Sequence, residues 1–182
     1  MIKKLLIETF LLTVGRSSNS TITISRKREF LNINSLSYPR LSMLGEQFGE
    51  HKGKVIGQRV VDINGEGPKI ETTFSADAKI KGTIDINELG TYSSVVRPGG
   101  ILYGEGQGLY TAKDGSGEMT TWIGYGIGRF TGPTGGGVSY RGSLFYRTNS
   151  TGKLSFLNNL VAVFEYEADE SGNTAAKVWE WK

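Results

Sequence analysis

The sequence predicts an all-β fold, an eight-stranded antiparallel up-and-down barrel. From residue 54 to the end, strand-length segments are separated by short stretches rich in glycine, proline, asparagine and aspartate, which favour turns. These connections are too short for the crossovers that parallel strands need, so neighbouring strands must run antiparallel. Closure of the strands into a barrel removes exposed sheet edges. A sandwich of two sheets is the alternative that the same pattern allows.

The turn sequences divide this region into eight strands. Glycine-rich stretches end the first strand at Asn64–Pro68, the third at Arg97–Gly100 and the fifth at Thr131–Gly137. The predicted strands, in order, are Lys54–Ile63, Lys69–Lys79, Gly82–Ser94, Ile101–Lys113, Glu118–Phe130, Val138–Thr148, Asn159–Ala168 and Asn173–Trp181.

Two of the predicted strands carry glycine at every second position. The two sets are Gly104, Gly106 and Gly108 in the fourth strand and Gly124, Gly126 and Gly128 in the fifth. Because side chains alternate between the two faces of a strand, each of these strands has one bare face. Glycine weakens a strand and is normally rare within one, so its repetition needs a structural reason. The candidates are strong coiling of the sheet, close approach of another backbone, and space left inside the barrel.

Pairing between the fifth and sixth strands predicts that the glycine face is the interior. A hairpin that closes near Phe130 and Tyr140 would place Gly128 near Gly142, with large side chains leaning over bare backbone. The same face then carries an apolar, largely aromatic set that we predict to bind a ligand. Its members are Leu102, Tyr110, Trp122, Phe130, Tyr140, Tyr146, Phe164 and Tyr166.

The same orientation leaves four apolar side chains on the outer surface. They are Tyr103, Ile123, Tyr125 and Ile127. A monomeric protein rarely exposes a contiguous apolar patch larger than a few hundred Å². We therefore expect a homo-oligomer that buries this patch, most simply a symmetric dimer.

Residues 1–42 differ in composition from the rest of the chain. They hold seven basic and two acidic side chains, a net charge of +5, which leaves −2 of the total of +3 for residues 43–182. Their serine, asparagine and threonine content predicts a flexible basic extension before a barrel domain of residues 43–182, with Met43 a candidate native start. The apolar stretch 5–14 outlines a secretion signal, but Glu8 interrupts it and no small-residue cleavage site follows. We therefore expect a cytoplasmic protein.

Several glycine motifs resemble those of a known group of proteins. They are the Gly-Glu-Gly-Pro turn at 65–68, Gly-Glu-Gly-Gln-Gly at 104–108, Gly-Ile-Gly-Arg-Phe-Thr-Gly at 126–132 and Phe-Glu-Tyr-Glu at 164–167. With the order of eight strands, residues 54–182 resemble uncharacterised small proteins that have an allene-oxide-cyclase-like barrel. The resemblance implies a lipocalin-like barrel that holds small apolar molecules. One branch of such barrels cyclises an unsaturated fatty-acid epoxide, but none of its catalytic residues matches a position here.

Composition argues against several other classes of function. Residues 43–182 are slightly acidic, which does not suit nucleic-acid binding, and no apolar run approaches the roughly 20 residues of a membrane-spanning helix. There is no cysteine for disulfides or thiolate catalysis. His51 is the single histidine, which we expect to be solvated before the first strand. No cofactor is predicted, because the alternating glycines lack the spacing of a dinucleotide fingerprint and no phosphate loop is present.

Carboxylates are the other candidates for catalysis. Glu105 lies among glycines on the face opposite the bare one, and Glu165 and Glu167 alternate with Phe164 and Tyr166. Arg129 and Arg141 could approach each other or an acid across the hairpin, and ordinary solvent-facing charges explain all of these residues. The favoured function is therefore a noncatalytic barrel that binds a small apolar or aromatic ligand. The alternatives are an enzyme that acts on such a ligand by confinement, with an assisting carboxylate or tyrosine, and a structural barrel that self-associates.

Overall fold

A computed structural model describes residues 5–13, 23–31, 44–64 and 67–182. The chain divides into two compact units, Met1–Leu41 and Ser42–Lys182. The first unit contains a two-stranded antiparallel sheet of β1 (Leu5–Thr13) and β2 (Thr23–Leu31). No strand was predicted in residues 1–42 from the sequence. The expected flexibility of residues 1–42 stays a prediction.

The second unit is a closed barrel of eight antiparallel strands, which confirms the predicted fold class. Its strands are β3 (Leu44–Asn64), β4 (Gly67–Ile80), β5 (Ile84–Arg97), β6 (Ile101–Ala112), β7 (Met119–Thr131), β8 (Gly137–Arg147), β9 (Val161–Ala168) and β10 (Asn173–Trp181). Each strand pairs with its neighbours in sequence, and β10 closes the barrel on β3. In the described ranges, no helix is long and apolar enough to cross a membrane.

The main error in the strand prediction concerns β3, which begins ten residues before the predicted start. Its first half is rich in glycine and charged residues and so lacks the alternation that identifies a strand. It is a strand because it has partners on both sides: Gly49 pairs with Val178 of β10 and with Ile80 of β4. This extension carries His51 into the barrel wall.

The glycine faces of β6 and β7 point inward, as predicted, but the β7–β8 register differs by two residues. Gly128 pairs with Tyr140 and Gly126 with Gly142, because strand pairing continues to Thr131 and leaves a loop of only residues 132–136. A shift of two residues preserves the faces, so the interior orientation is unaffected. Gly142 is required by close approach, since a Cβ there would overlap the carbonyl oxygen of Tyr125.

The two ends of the barrel are built differently. A long loop, residues 148–160, covers one end with a 3-10 turn at Ser155–Leu157, and it buries Leu154 and Leu157 completely. Glu118 holds this loop by accepting hydrogen bonds from the backbone N–H groups of Gly152 (2.6 Å) and Leu154 (3.2 Å). Short turns at residues 98–100, 132–136 and 169–172 surround the opposite end, which we call the mouth.

Candidate functional site

A cavity of about 80 Å³ lies in the middle of the barrel. Its wall is mostly apolar, formed by aromatic rings, alanines and the inward faces of glycines from all eight barrel strands. The rings are Phe74, Tyr92, Tyr110, Trp122, Tyr140, Phe164 and Tyr166. The barrel interior is therefore a nearly filled aromatic core with a small central space.

The alternating glycines make room for these rings. A Cβ on Gly108 would lie 2.5 Å from the indole of Trp122, and one on Gly128 would lie 2.6 Å from the ring of Tyr140. Real Cβ atoms are never that close to a ring carbon, so only glycine lets these aromatic side chains lie flat on the neighbouring strand. Close packing of side chains, indicated by the prediction that large side chains lean over bare backbone, accounts for most of the glycine positions. Gly104, Gly106, Gly124 and Gly126 also border the cavity.

A buried polar cluster forms part of the cavity wall. Nδ1 of His51 lies 2.7 Å from Oε2 of Glu88, and the indole N–H of Trp122 donates to Oε1 of the same carboxylate at 3.0 Å. His51 is 3% exposed and Glu88 is 5% exposed. The expectation that His51 is solvated was wrong, because the residue belongs to β3 and its ring points into the barrel.

Glu88 was not identified from the sequence, although the signal was present. The alternation of β5 places Ile84 and Ile86 on one face, and continuing that period by two puts Glu88 on the same face. A glutamate at an inward position of a strand is rare unless it is paired. Extending the two-residue alternation of β5 to residue 88 would have predicted a buried carboxylate that needs a partner.

Two buried tyrosines extend the cluster toward the covered end. The hydroxyl of Tyr110 lies 3.4 Å from Nε2 of His51 and 2.9 Å from the hydroxyl of Tyr146. Burial raises the pKa of Tyr110 well above its ordinary value, and it likewise raises the pKa of Tyr146. Both side chains are therefore neutral hydrogen-bonding groups at physiological pH.

Three further tyrosines lie on the mouth side of the cavity. The hydroxyls of Tyr140 and Ser94 are 2.6 Å apart, and burial raises the pKa of Tyr140 to about 12. Tyr166 is 8% exposed, and its hydroxyl is the one buried side-chain polar atom in the described part of the chain with no hydrogen-bond partner. Burial, followed by the nearby Tyr92, raises the pKa of Tyr166 far above its ordinary value. Tyr166 therefore offers a neutral hydroxyl that lies near the Tyr92 side chain but makes no hydrogen bond of normal geometry to the protein.

A second space of about 210 Å³ occupies the mouth. Tyr92 and Tyr140 line both this space and the central cavity, so their two rings separate the two compartments. The ring centroids of this pair are 5.7 Å apart at an interplanar angle of 63°. Rotation of these rings would join the mouth to the interior.

The eight residues predicted to bind a ligand are divided among three places. The central cavity is lined by Tyr110, Trp122, Tyr140, Phe164 and Tyr166. Leu102 and Phe130 line the mouth, where Phe130 is 49% exposed and so is not an interior residue. Tyr146 lies in the core beneath the cavity, bonded to Tyr110.

The carboxylates considered from sequence lie outside the barrel. Glu105 pairs with Lys69 at 2.6 Å, and Glu165 and Glu167 pair with Arg141 at 3.2 and 2.9 Å. All three belong to exposed ion pairs, which contribute little to stability. Over the described ranges, no three histidine, aspartate or glutamate side chains are grouped closely enough to hold a metal ion.

Comparison with known proteins shows the fold. No protein-family profile and no curated protein sequence matches the chain. A solved structure of a protein with unknown function from Clostridium acetobutylicum ATCC 824 aligns with a TM-score of 0.61 at 16% identity, covering 74% of this chain and 96% of that one. A conserved protein of unknown function from Rhodopseudomonas palustris aligns with a TM-score of 0.60 at 14% identity, covering 75% and 97%. At these identities the likeness establishes a shared architecture.

Proposed function

We propose that the barrel binds a small apolar or aromatic molecule in its central cavity. The observation that carries the proposal is an aromatic-walled cavity lined by Tyr166, whose buried hydroxyl makes no hydrogen bond of normal geometry to the protein. A buried hydroxyl without a hydrogen bond costs about 1–3 kcal/mol. A ligand with one polar group on an apolar body would satisfy that hydroxyl while filling the remaining space. Small-molecule sites combine an apolar wall and a few polar groups in this way.

The size of the cavity limits the ligand. About 80 Å³ is roughly half of an engineered cavity of about 150 Å³ that accepts benzene. A benzene-sized molecule would therefore enter with a small outward movement of the surrounding rings. A longer ligand would have to extend into the mouth by displacing Tyr92 and Tyr140. These two side chains are the proposed gate.

The resemblance to allene-oxide-cyclase-like barrels supports the same proposal. The closed eight-stranded architecture agrees with that resemblance, and such barrels hold apolar molecules inside, as lipocalins do. Assignment of this chain to that group is part of the proposal, as is a location in the cytoplasm. Ligand binding as proposed requires no cofactor, because every group that would contact the ligand belongs to the chain.

Titration with phenol and benzene, followed by amide chemical shifts, tests the proposal. Both should shift residues around the cavity, and phenol should bind more tightly because it can bond to Tyr166. An Ala176→Leu variant adds bulk at a cavity-lining position of β10 and should abolish binding. Ala175→Leu is the matched control: residue 175 also borders the cavity, but it is exposed, and alternation directs its side chain to the outer face of the same strand. Equal binding by the two variants would refute the interior site.

We also infer that the protein forms a symmetric homodimer through the outer face of β7. Ile123, Tyr125 and Ile127 are about half exposed there, and Phe145 of β8 lies beside Ile123. On the other side, Tyr103 of β6 pairs with Ile127. Charged pairs border this apolar patch, Lys69–Glu105 on one side and Arg141–Glu165 on the other. An apolar centre with a charged rim is typical of a self-complementary interface.

A further inference from the structure

We propose that His51 is the general base of a proton-transfer site in the barrel interior, held by Glu88 and acting on a small carbon acid in the central cavity. This inference rests on the proposed function, because the substrate must occupy that cavity. It goes further in two ways. It assigns the reaction class, which is removal of a proton from carbon, and it gives each member of the polar cluster a role.

The hydrogen bonds of Glu88 determine which nitrogen of His51 carries the proton. The indole of Trp122 can only donate, so it occupies Oε1 of the carboxylate at 3.0 Å. The proposed base requires an ionised Glu88 and a neutral His51; an ionised Oε2 can only accept, so Nδ1 of that imidazole donates to it at 2.7 Å. The lone pair of the neutral imidazole is therefore on Nε2. This is the arrangement of a base oriented by a carboxylate in hydrolytic triads.

The Nε2 lone pair has only a weak protein partner. The hydroxyl of Tyr110 is 3.4 Å away, whereas the same hydroxyl is 2.9 Å from that of Tyr146. Tyr110 is therefore better placed to bond with Tyr146 than with the histidine. His51, Glu88, Tyr110 and Trp122 all line the cavity, so a molecule bound there lies against the cluster.

Tyr110 complements the base. Its raised pKa keeps it protonated, and in the proposed site Tyr146 donates to the Tyr110 oxygen, which leaves the Tyr110 proton to bond with negative charge that develops on the substrate. In the proposed step, the C–H bond breaks as the Nε2–H bond forms, and the electron pair moves from carbon onto an electron-withdrawing oxygen. That oxygen accepts the hydrogen bond from Tyr110. The proton later returns to carbon or passes to solvent, and nothing is oxidised or reduced.

Nitroethane is a suitable probe because it is small, acidic at carbon and carries oxygen atoms that accept hydrogen bonds. Exchange of its α-hydrogens for deuterium in D₂O, followed by proton NMR, measures proton removal. The nitronate takes a deuteron from solvent, and the imidazolium gives its proton to solvent. With the full chain, the exchange catalysed at the site should fall on the order of 100-fold in His51→Gln.

Glu88→Gln distinguishes a base from a merely structural histidine. Trp122 would still donate to the side-chain oxygen of residue 88, so the new amide would donate to Nδ1 and move the histidine proton to Nε2. His51 is the single histidine of the chain, so its ¹⁵N shifts report the tautomer without overlap. We expect the Nδ1–H form in the wild type, the Nε2–H form in Glu88→Gln, and a loss of exchange as large as in His51→Gln.

The outcomes separate this inference from the proposed function. If nitroethane shifts the cavity amides equally in all three proteins but exchanges at one rate in all three, the ligand site stands and the base assignment is wrong. If the tautomer changes in Glu88→Gln while exchange persists, His51 is again not the base. If nitroethane does not shift the cavity amides of the wild type, the base assignment fails, and the phenol titration alone decides whether the ligand site stands.

Discussion

The indole of Trp122 reaches across a whole strand to bond with Glu88. The donor lies on β7 and the acceptor on β5, with β6 between them, and the N–H group donates at 3.0 Å. The reach is possible because Gly108 of β6 is paired with Trp122 and has no side chain to lift the ring. One glycine of the alternating pattern therefore sets the position of the carboxylate that holds His51.

Gly108→Ala should disrupt this relationship. Its Cβ would lie 2.5 Å from two carbon atoms of the indole, so the ring must move and the bond to Glu88 is lost. Overpacking of this kind costs about 1–3 kcal/mol of unfolding free energy. Gly57→Ala is the control, because no atom lies within 4 Å of a Cβ there. Urea unfolding of the two variants checks the difference, and equal midpoints would contradict the packing role of Gly108.

Tyr166→Phe should leave the unfolding free energy unchanged or raise it by about 1 kcal/mol, because it removes a buried hydroxyl that has no protein partner. Tyr140→Phe should lower it by about 1 kcal/mol, because its hydroxyl bonds to Ser94 at 2.6 Å. Chemical denaturation compares the two directly. The Tyr166→Phe protein should also lose the preference for phenol over benzene. A marked loss of stability in Tyr166→Phe would mean that its hydroxyl is satisfied.

The double variant Ile123→Lys, Ile127→Lys should be monomeric, because two lysines on the outer face of β7 would have to be buried in the dimer. Sedimentation velocity distinguishes the two states. Ile56→Lys with Val60→Lys is the control, since both residues are exposed on β3. A monomeric wild type, or a double variant that remains assembled, would exclude this interface.

A chain that begins at Met43 should melt at the same temperature as the full chain. Every barrel strand lies between Leu44 and Trp181, and the first 41 residues form a separate compact unit. Differential scanning calorimetry measures both midpoints. A barrel transition lowered by several degrees would mean that the first unit contributes to barrel stability, by about 1 kcal/mol or more.

The strands were predicted well where side-chain alternation and turn-forming residues act within a short segment of the sequence. The glycine alternation of β6 and β7 predicted both strands and one bare face on each, and the pairing of β7 with β8 predicted that this face points inward. The prediction that Tyr103 and Ile127 lie on the outer face was also correct, and the two residues pair across β6 and β7. The predicted β7–β8 register was wrong by two residues. Pairing continues to Thr131 and Gly137 beside the glycine-rich loop, and packing decides where such pairing ends.

The candidate site was harder to predict, because its key contacts join distant parts of the chain. His51 and Glu88 are 37 residues apart and meet only because the first half of β3 extends the wall. That half has no alternation, so sequence alone indicated a solvated loop. The predicted aromatic interior was largely present, but the same rings fill most of the space. Their packing leaves a smaller cavity than the glycine pattern indicated.

A crystal structure of the full chain with bound phenol would test the central claim most directly. We expect one phenol in the central cavity, among Trp122, Phe164 and Tyr166, with its oxygen within hydrogen-bond distance of the Tyr166 hydroxyl. The rings of Tyr92 and Tyr140 should be displaced or rotated along the path from the mouth. Phenol found only on the outer surface, with the interior rings unmoved, would contradict a ligand-binding barrel.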